Sequence, residues 1–144
     1  MKETTAAAQL IVHVIPLVMR AIGSRLRHKA DMPSPAHFGI LFMLSNENMN
    51  LSELARQHSV SLPTMSNSVS TLVQHGLVAR RRAAHDRRQV VIEVTDSGRE
   101  MLQSVLSEVV AYVDEVLASL SLQELDQLQK GLSVLRSAFL TSGG

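Results

Sequence analysis

The strongest concentration of chemical function in the chain is a cluster of arginines near its middle. Five of them lie within nine residues, at Arg80, Arg81, Arg82, Arg87 and Arg88. Asp86 is the one acid in that stretch. Guanidinium groups at this density are suited to bind phosphate, and arginine also enters a narrow minor groove of DNA. The apolar residues of 90–95 alternate as in a half-buried strand, so the arginines are predicted to lie on a two-stranded ribbon, or wing.

Two short amphipathic helices are predicted to precede the wing. The first spans about residues 50–58 and begins at Asn50, an N-cap residue that is followed three positions later by a glutamate. Ser61 caps the second helix, Pro63 occupies its first turn, and Gly76 ends it. Because a turn of about three residues joins the two helices, they form a helix-turn-helix.

The outward face of the second helix carries short polar side chains and no acid. An ordinary solvated face would carry paired Glu and Lys, whereas a helix that enters the major groove needs short donors and acceptors that do not repel phosphate. Asn67 is suited to bond an adenine edge in bidentate fashion. The alternative is a face that is merely solvated. The candidate base and backbone contacts are Ser61, Pro63, Thr64, Ser66, Asn67 and Ser68.

The wing supplies a second kind of candidate contact. Basic side chains on a β-wing are expected to bind phosphate, which adds affinity and salt dependence without sequence information. The residues predicted to do so are Arg80, Arg82, His85 and Arg87. The alternative for a charged residue at this place is a surface ion pair of little energetic consequence.

Composition limits the class of protein. The 144 residues amount to one ordinary domain, and 45% hydrophobic with 19% charged residues is a globular rather than a disordered composition. The net charge of +1 is too small to indicate nucleic-acid binding, but charge is unevenly distributed, and residues 96–126 hold seven acids and one base. The absence of cysteine excludes disulfides, thiolate metal sites and cysteine-based peroxide sensing. Cytoplasm is the simplest compartment.

The amino-terminal end is predicted to be a long helix with surplus apolar surface. It covers about residues 5–29, and Pro16 lies inside it, where a bend is expected. The apolar run is interrupted by Gln9 and His13 and is too short to span a bilayer. A buried subunit interface is therefore predicted in preference to a signal peptide or a membrane span.

Helices are also predicted on both sides of the winged region. Residues 31–33 break the chain, and Ser34 caps a following helix. A long helix over residues 96–117 and a last helix that begins with a capping box at Ser121 carry wide apolar stripes. Residues 141–144 are predicted to fray. The core-facing residues of the helix after Ser34 are predicted to be Phe38, Leu41, Phe42 and Leu44.

The wing and the segment that follows it resemble a known family. Residues 86–98, DRRQVVIEVTDSG, match the D-x-R-x-x-x-φ-x-φ-T-x-x-G wing signature of MarR-type transcriptional regulators, where φ is apolar. The segments LSELA and HGLVAR, the chain length and the order of helices are also similar to that family. The resemblance implies a homodimer that binds a palindromic operator and is often released by a small ligand. One departure is that the helix expected to contact bases has neither Arg nor Lys.

The resemblance also implies roles for individual residues. Arg88 is expected to reach the minor groove, while Asp86 holds the wing tip through a salt bridge. An effector pocket is expected between the dimerisation helices and the winged lobe, for a small apolar or aromatic ligand. Plain core packing is the alternative for each residue near it. The residues within reach of such a pocket are His13, Arg20, Phe38, Phe42 and Met43.

Metal-dependent and enzymatic functions find little support in the sequence. The six histidines show no H-E-x-x-H pattern or other tight ligand spacing, and no cysteine assists them. His85 and Asp86 are adjacent, but they lie in an arginine-rich turn with no nucleophile elbow. No metal, cofactor or catalytic residue is therefore predicted.

These observations predict a mainly α-helical protein with a small β-wing, of the α+β class. The expected regions are an N-terminal dimerisation helix at 1–30, a winged helix-turn-helix lobe at 34–95 and C-terminal dimerisation helices at 96–140. The predicted function is sequence-specific binding to double-stranded DNA as a homodimeric, cytoplasmic regulator, and more specifically as a repressor. The alternative is a winged-helix protein-interaction module that binds no nucleic acid. Steep salt dependence separates the two, since only DNA binding releases counterions.

Overall fold

The order of elements follows the predicted one. The computed structural model describes residues 2–27 and 34–143, and the predicted break at 31–33 lies outside them. The elements are α1 (Lys2–Arg27), α2 (Pro35–Asn46), α3 (Leu51–Gln57), α4 (Leu62–Gln74), β1 (Val78–Arg82), β2 (Val90–Val94), α5 (Asp96–Leu117) and α6 (Leu122–Ser142). The mainly helical fold with a two-stranded antiparallel wing confirms the predicted fold class.

The chain divides into two units, Met1–Val109 and Val110–Gly144. The boundary falls inside α5, so that helix contributes to both. The first unit contains α1 and the winged lobe, which we define as residues 34–95. The predicted assignment of 1–30 and 96–140 to dimerisation stays a prediction.

Three helices begin where side-chain caps predict them. The Oδ1 atom of Asn50 accepts a 2.8 Å hydrogen bond from the backbone N–H of Glu53. Ser61 Oγ accepts the N–H of Thr64 at 3.2 Å, and the capping box that begins at Ser121 is complete on both sides. These caps satisfy amide groups that have no partner inside the helix, which sets the first residue of each helix.

The turn between α3 and α4 and the end of α4 use left-handed backbone. Ser59 has a φ of 55°, and Gly76 follows the C-cap residue of α4 with a φ of 72°. The Gly76 conformation confirms the predicted helix end, since glycine adopts positive φ without a steric penalty. The chain therefore reverses direction once at Ser59, between α3 and α4, and again at Gly76, between α4 and β1.

The core of the winged lobe lies beneath α4. Leu54 on α3, Leu41 and Leu44 on α2, and the inner face of α4 are fully buried. The inner face of α4 consists of Met65, Val69 and Leu72. Because these residues hold one side of α4 in the core, the opposite side of the helix faces outward along its whole length.

The wing is a two-stranded ribbon to which one further residue, Met49, is hydrogen-bonded. β1 and β2 pair in antiparallel register from Val78 opposite Val94 to Arg82 opposite Val90. Met49, in the loop before α3, forms an isolated bridge with Ile92 through hydrogen bonds of 2.7 and 3.3 Å. This bridge, which the sequence did not indicate, fixes the base of the wing to the start of the helix-turn-helix.

Helix α2 is rotated about its axis relative to the prediction. Its buried residues are His37, Ile40, Leu41 and Leu44, which follow the i, i+3, i+4, i+7 spacing of one helix face. Phe42 lies off that face and is 47% exposed, so its predicted place in the core is wrong, whereas the half-buried Phe38 stacks on it with ring centroids 6.2 Å apart. The Ser34 side chain makes no cap hydrogen bond.

The terminal helices are both largely exposed. α1 buries only Leu26 among its described residues. The prediction that this segment is too short to span a bilayer is wrong, because the apolar pattern continues through a helix of 26 residues that is, by length and composition alone, long enough and apolar enough to cross a membrane. α6 has no buried residue over its described length, and Leu122 and Leu140 are 86% and 69% exposed. α6 continues through Thr141 to Ser142, so the prediction that the helix frays from residue 141 is wrong.

Candidate nucleic-acid interface

The outer face of α4 presents the predicted contact residues to solvent. Ser61, Pro63, Thr64 and Asn67 are exposed, and Ser66 and Ser68 are half-buried. All six therefore lie on or beside the surface opposite the buried face. The face carries no charged side chain, and it offers hydroxyl groups, one carboxamide and the ring of Pro63.

Several of the hydroxyl groups on this face already have partners within the protein. Ser61 Oγ donates to Thr64 Oγ1 at 2.9 Å, and Thr71 Oγ1 donates to the carbonyl oxygen of Asn67 at 3.1 Å. Within the described part of the chain, the Asn67 side chain makes no hydrogen bond. Its exposed carboxamide can therefore offer a donor and an acceptor together, which is the pair that an adenine edge requires.

The three arginines of β1 each bind another part of the protein. Arg80 Nη2 donates to Ser70 Oγ on α4 at 3.0 Å. Arg81 forms a 2.5 Å ion pair with Glu93 on β2, and Arg82 Nη1 donates to the carbonyl oxygen of Arg87 at 3.1 Å. The strand arginines are thus hydrogen-bonded to α4, to the neighbouring strand and to the wing tip.

The wing tip, residues 83–89, is held by backbone hydrogen bonds and by Asp86. The Oδ1 atom of Asp86 accepts the backbone N–H of Arg88 at 3.0 Å, and its carbonyl oxygen accepts the N–H of Gln89 at 3.1 Å. This side-chain turn replaces the predicted salt bridge, since no ion pair among the described residues includes Asp86. The carboxylate lies two residues before the amide that it binds, so it shapes the backbone and leaves the Arg88 guanidinium exposed.

The basic groups of the tip are accessible to a ligand. Arg87, Arg88 and His85 are all exposed. Within the described residues, neither the Arg87 nor the Arg88 guanidinium takes part in an ion pair. Two exposed guanidinium groups on a tight turn are suited to bind the phosphate backbone or to enter the minor groove of DNA. The uncharged face of α4, in the same lobe, is suited to the neighbouring major groove.

The candidate effector residues are only partly brought together. His13 lies on α1, where its Nδ1 atom is 2.7 Å from the carbonyl oxygen of Gln9. It lines an open depression of about 530 Å³ with Ala6, Gln9 and Leu10, and none of the other four candidates is among those lining residues. Phe38 and Phe42 form the stacked pair on α2, with the half-buried Met43 next to them in sequence.

A buried histidine lies on α2, in the same lobe as the interface. His37 on α2 is 9% exposed, and its Nδ1 atom has no hydrogen-bond partner among the described residues. Burial lowers the pKa of His37 below the ordinary value of 6.5, and the charge of His75 at the end of α4 lowers it further. The sequence singled out no role for this residue, although its spacing to Ile40, Leu41 and Leu44 marks it as core-facing.

The described residues contain no group of three or more histidine, aspartate or glutamate side chains arranged to hold a metal ion. Among the described residues, the interface consists of an uncharged helix face, two wing-tip arginines that form no ion pair, and three arginines of β1 that bind other parts of the protein. This combination is the one expected of a winged helix-turn-helix that binds double-stranded DNA, with a helix for the major groove and basic side chains for the phosphates.

Comparison with known proteins agrees with this geometry. A sequence profile described as the MarR family matches residues 31–89. The HTH-type transcriptional regulator YfiV of Bacillus subtilis is 27% identical over 111 residues, which cover 76% of this chain and 69% of YfiV. The HTH-type transcriptional repressor YetL of Bacillus subtilis is 28% identical over 96 residues, which cover 67% of this chain and 58% of YetL.

The structural comparison extends over almost the whole chain. A MarR family protein from Bacillus stearothermophilus superposes with a TM-score of 0.78 at 22% identity, covering 97% of this chain and 99% of that one. At this identity the superposition establishes the shared fold. The matching profile is that of the MarR family, the sequence relatives are named HTH-type transcriptional regulators, and this chain is similar to the MarR family of transcriptional regulators in its wing motif, its winged lobe and its fold.

Proposed function

We propose that this protein is a sequence-specific regulator that binds a palindromic operator in double-stranded DNA as a homodimer. The observation that carries the proposal is that two kinds of surface are joined on one lobe. The uncharged outer face of α4 is hydrogen-bonded through Ser70 to a wing that ends in two exposed arginines. Base contacts by α4 would supply sequence discrimination, and Arg87 and Arg88 would supply affinity.

The homodimer follows from the exposed apolar surface of the terminal helices. On α1, Leu10, Leu17 and Met19 are each at least 60% exposed. Monomeric proteins rarely leave so large an apolar patch in water, so α1 needs a partner. A second copy of the chain fits better than a lipid bilayer. Gln9 and His13 lie inside the apolar run, and their polar groups would be costly to bury in hydrocarbon.

α6 gives independent support for the same interface. Leu132, Phe139 and Leu140 are each more than half exposed, although they lie on a regular 21-residue helix. A two-fold dimer carries two copies of α4, which would occupy successive major grooves of the duplex. Their separation would be roughly one helical turn, about 34 Å, which makes the operator a palindrome.

The regulatory mode that we propose is steric repression in the cytoplasm, without a catalytic step or a bound cofactor. The dimer would occlude a promoter, and a small apolar or aromatic effector would shift it toward a geometry that does not fit DNA. YetL, which is named a repressor, supports the sign of regulation. The proposed effector contacts are His13, Arg20, Phe38, Phe42 and Met43.

Selection of binding sites from a random duplex library, at low and at moderate salt, tests the function. We expect enrichment of a palindrome with half-sites about ten base pairs apart, and a steep loss of affinity as salt rises. Sedimentation of the purified protein, alone and with the enriched duplex, gives the stoichiometry. Binding that is indifferent to sequence and salt would favour the protein-interaction module, and a monomer on a single half-site would overturn the homodimer.

A further inference from the structure

Arg80, which the sequence analysis predicted to bind phosphate, is exposed, and the register of the wing places it on the ribbon face that turns toward the protein. Arg80 lies opposite Ile92 in the antiparallel pair, and residues opposite each other project from the same face of a ribbon. The Ile92 side chain is 2% exposed, so this is the face that covers the core. Arg80 therefore leaves the ribbon on its inner side.

From that side Arg80 reaches α4. Its Nη2 atom donates a 3.0 Å hydrogen bond to Ser70 Oγ, which lies one residue after the buried Val69. The contact joins β1 to the helix that presents the base-contacting residues. The neighbouring Arg81 lies on the opposite face, opposite Val91, where its charge is paired with Glu93.

We propose that Arg80 is a positioning residue that fixes the angle between α4 and the wing, and so sets how well the protein discriminates between DNA sequences. This inference rests on the proposed DNA-binding function. A phosphate contact raises affinity for every DNA sequence alike. A hydrogen bond that holds α4 against the wing instead acts on the geometry of the base contacts, which tolerate little displacement. Loss of the hydrogen bond between Arg80 and Ser70 should therefore lower affinity for the operator more than affinity for non-specific DNA.

The test measures the affinity of the full-length protein for its selected operator and for a scrambled duplex, across a series of salt concentrations. Arg80→Ala should bind the operator roughly tenfold more weakly, with little change on the scrambled duplex. Its plot of log affinity against log salt should keep the wild-type slope. Ser70→Ala, which leaves the Arg80 charge in place, should give the same loss, and the double variant should be no worse than either single variant.

Arg87→Ala is the matched control because it removes an arginine from the same wing at the tip. It should weaken both duplexes equally and reduce the salt slope by about 0.9, the value for one phosphate contact. The positioning role of Arg80 is overturned if Arg80→Ala behaves like Arg87→Ala, or if Ser70→Ala binds the operator as tightly as the wild type does. Circular dichroism confirms that each variant is folded. A wild-type protein that binds neither duplex would overturn the DNA-binding proposal itself, which the other outcomes leave intact.

Discussion

Gly98 lies against the carbonyl oxygen of Leu77 so closely that no side chain fits between them. A Cβ atom on Gly98 would lie 2.1 Å from that oxygen and 2.7 Å from Cγ2 of Val94. Thr95 completes the joint, since its Oγ1 atom donates to the Gly76 carbonyl at 2.6 Å and accepts the N–H of Gly98 at 3.1 Å. The T-x-x-G end of the wing motif is therefore a tight connection between the wing base and α5.

Gly98→Ala should destabilise the protein because a backbone oxygen cannot withdraw as a flexible side chain can. We expect a loss of about 3 kcal/mol in the free energy of unfolding, measured by urea titration. Gly131→Ala is the control: nothing lies within 4 Å of a Cβ at that helical position, and alanine should add about 1 kcal/mol. Equal unfolding midpoints for Gly98→Ala and the wild type would contradict the role given to the joint.

Local features of this fold could be predicted from the sequence, and features that depend on neighbouring elements could not. The caps at Asn50, Ser61 and Ser121 are interactions over three residues, so residue type and spacing specify them. The rotation of α2 is set by what packs against it, and apolarity alone placed Phe42 inside although His37 takes the core position. Hydrophobicity ranks residues but does not report which face of a helix meets a partner.

The candidate site shows the same division. The polar outer face of α4 and the basic wing follow from composition, and the structure places both on one lobe. The contacts that the arginines of β1 make within the protein were not predicted, because they depend on the strand register and on partners such as Ser70, which is ten residues from Arg80 in the chain. The Asp86 side chain was expected to bind a guanidinium, and it binds a backbone amide instead.

Arg88→Ala should lower operator affinity by one to two decades, roughly 1.4–2.8 kcal/mol, while the protein stays folded. The reason is that the exposed Arg88 guanidinium has no ion-pair partner among the described residues and lies at the tip of the wing. Lys130→Ala removes one positive charge from an exposed position of α6 that lies off the face of Leu132 and Phe139, and it serves as the control, with affinity expected to stay near the wild-type value. Fluorescence anisotropy with a labelled operator measures both variants. Unchanged binding by Arg88→Ala would refute the wing assignment.

Asp86→Asn separates a backbone turn from a salt bridge at the wing tip. Asparagine keeps the side-chain oxygen that accepts the Arg88 amide but loses the charge. We expect operator affinity close to that of the wild type for Asp86→Asn and a several-fold loss for Asp86→Ala, whose tip is less ordered. If a salt bridge held the tip, both substitutions would weaken binding to the same degree. The operator affinities of the two variants therefore differ if Asp86 shapes the backbone turn and are equal if it forms a salt bridge.

The burial of His37 predicts a loss of stability in mild acid. Its pKa is lowered in the folded state, chiefly by burial, so the unfolded chain binds more protons near the ordinary value of 6.5. The free energy of unfolding should therefore be greatest above pH 6.5 and fall as the pH drops below it, levelling off under the folded-state pKa. His37→Leu should reduce this dependence, measured by urea unfolding between pH 5 and 8. His85→Gln, at the exposed wing tip, is the control substitution.

The Met49 bridge also bears on how an exposed ribbon avoids self-association. A free strand edge offers unpaired N–H and C=O groups to other chains, which makes it a template for aggregation. On the far side of β2, Met49 occupies both backbone groups of Ile92 with its hydrogen bonds of 2.7 and 3.3 Å. The edge of β1, which pairs with no further strand in the described chain, carries three consecutive arginines that repel a second copy. The wing can thus remain open to a polyanion while two copies of it resist joining into a larger sheet.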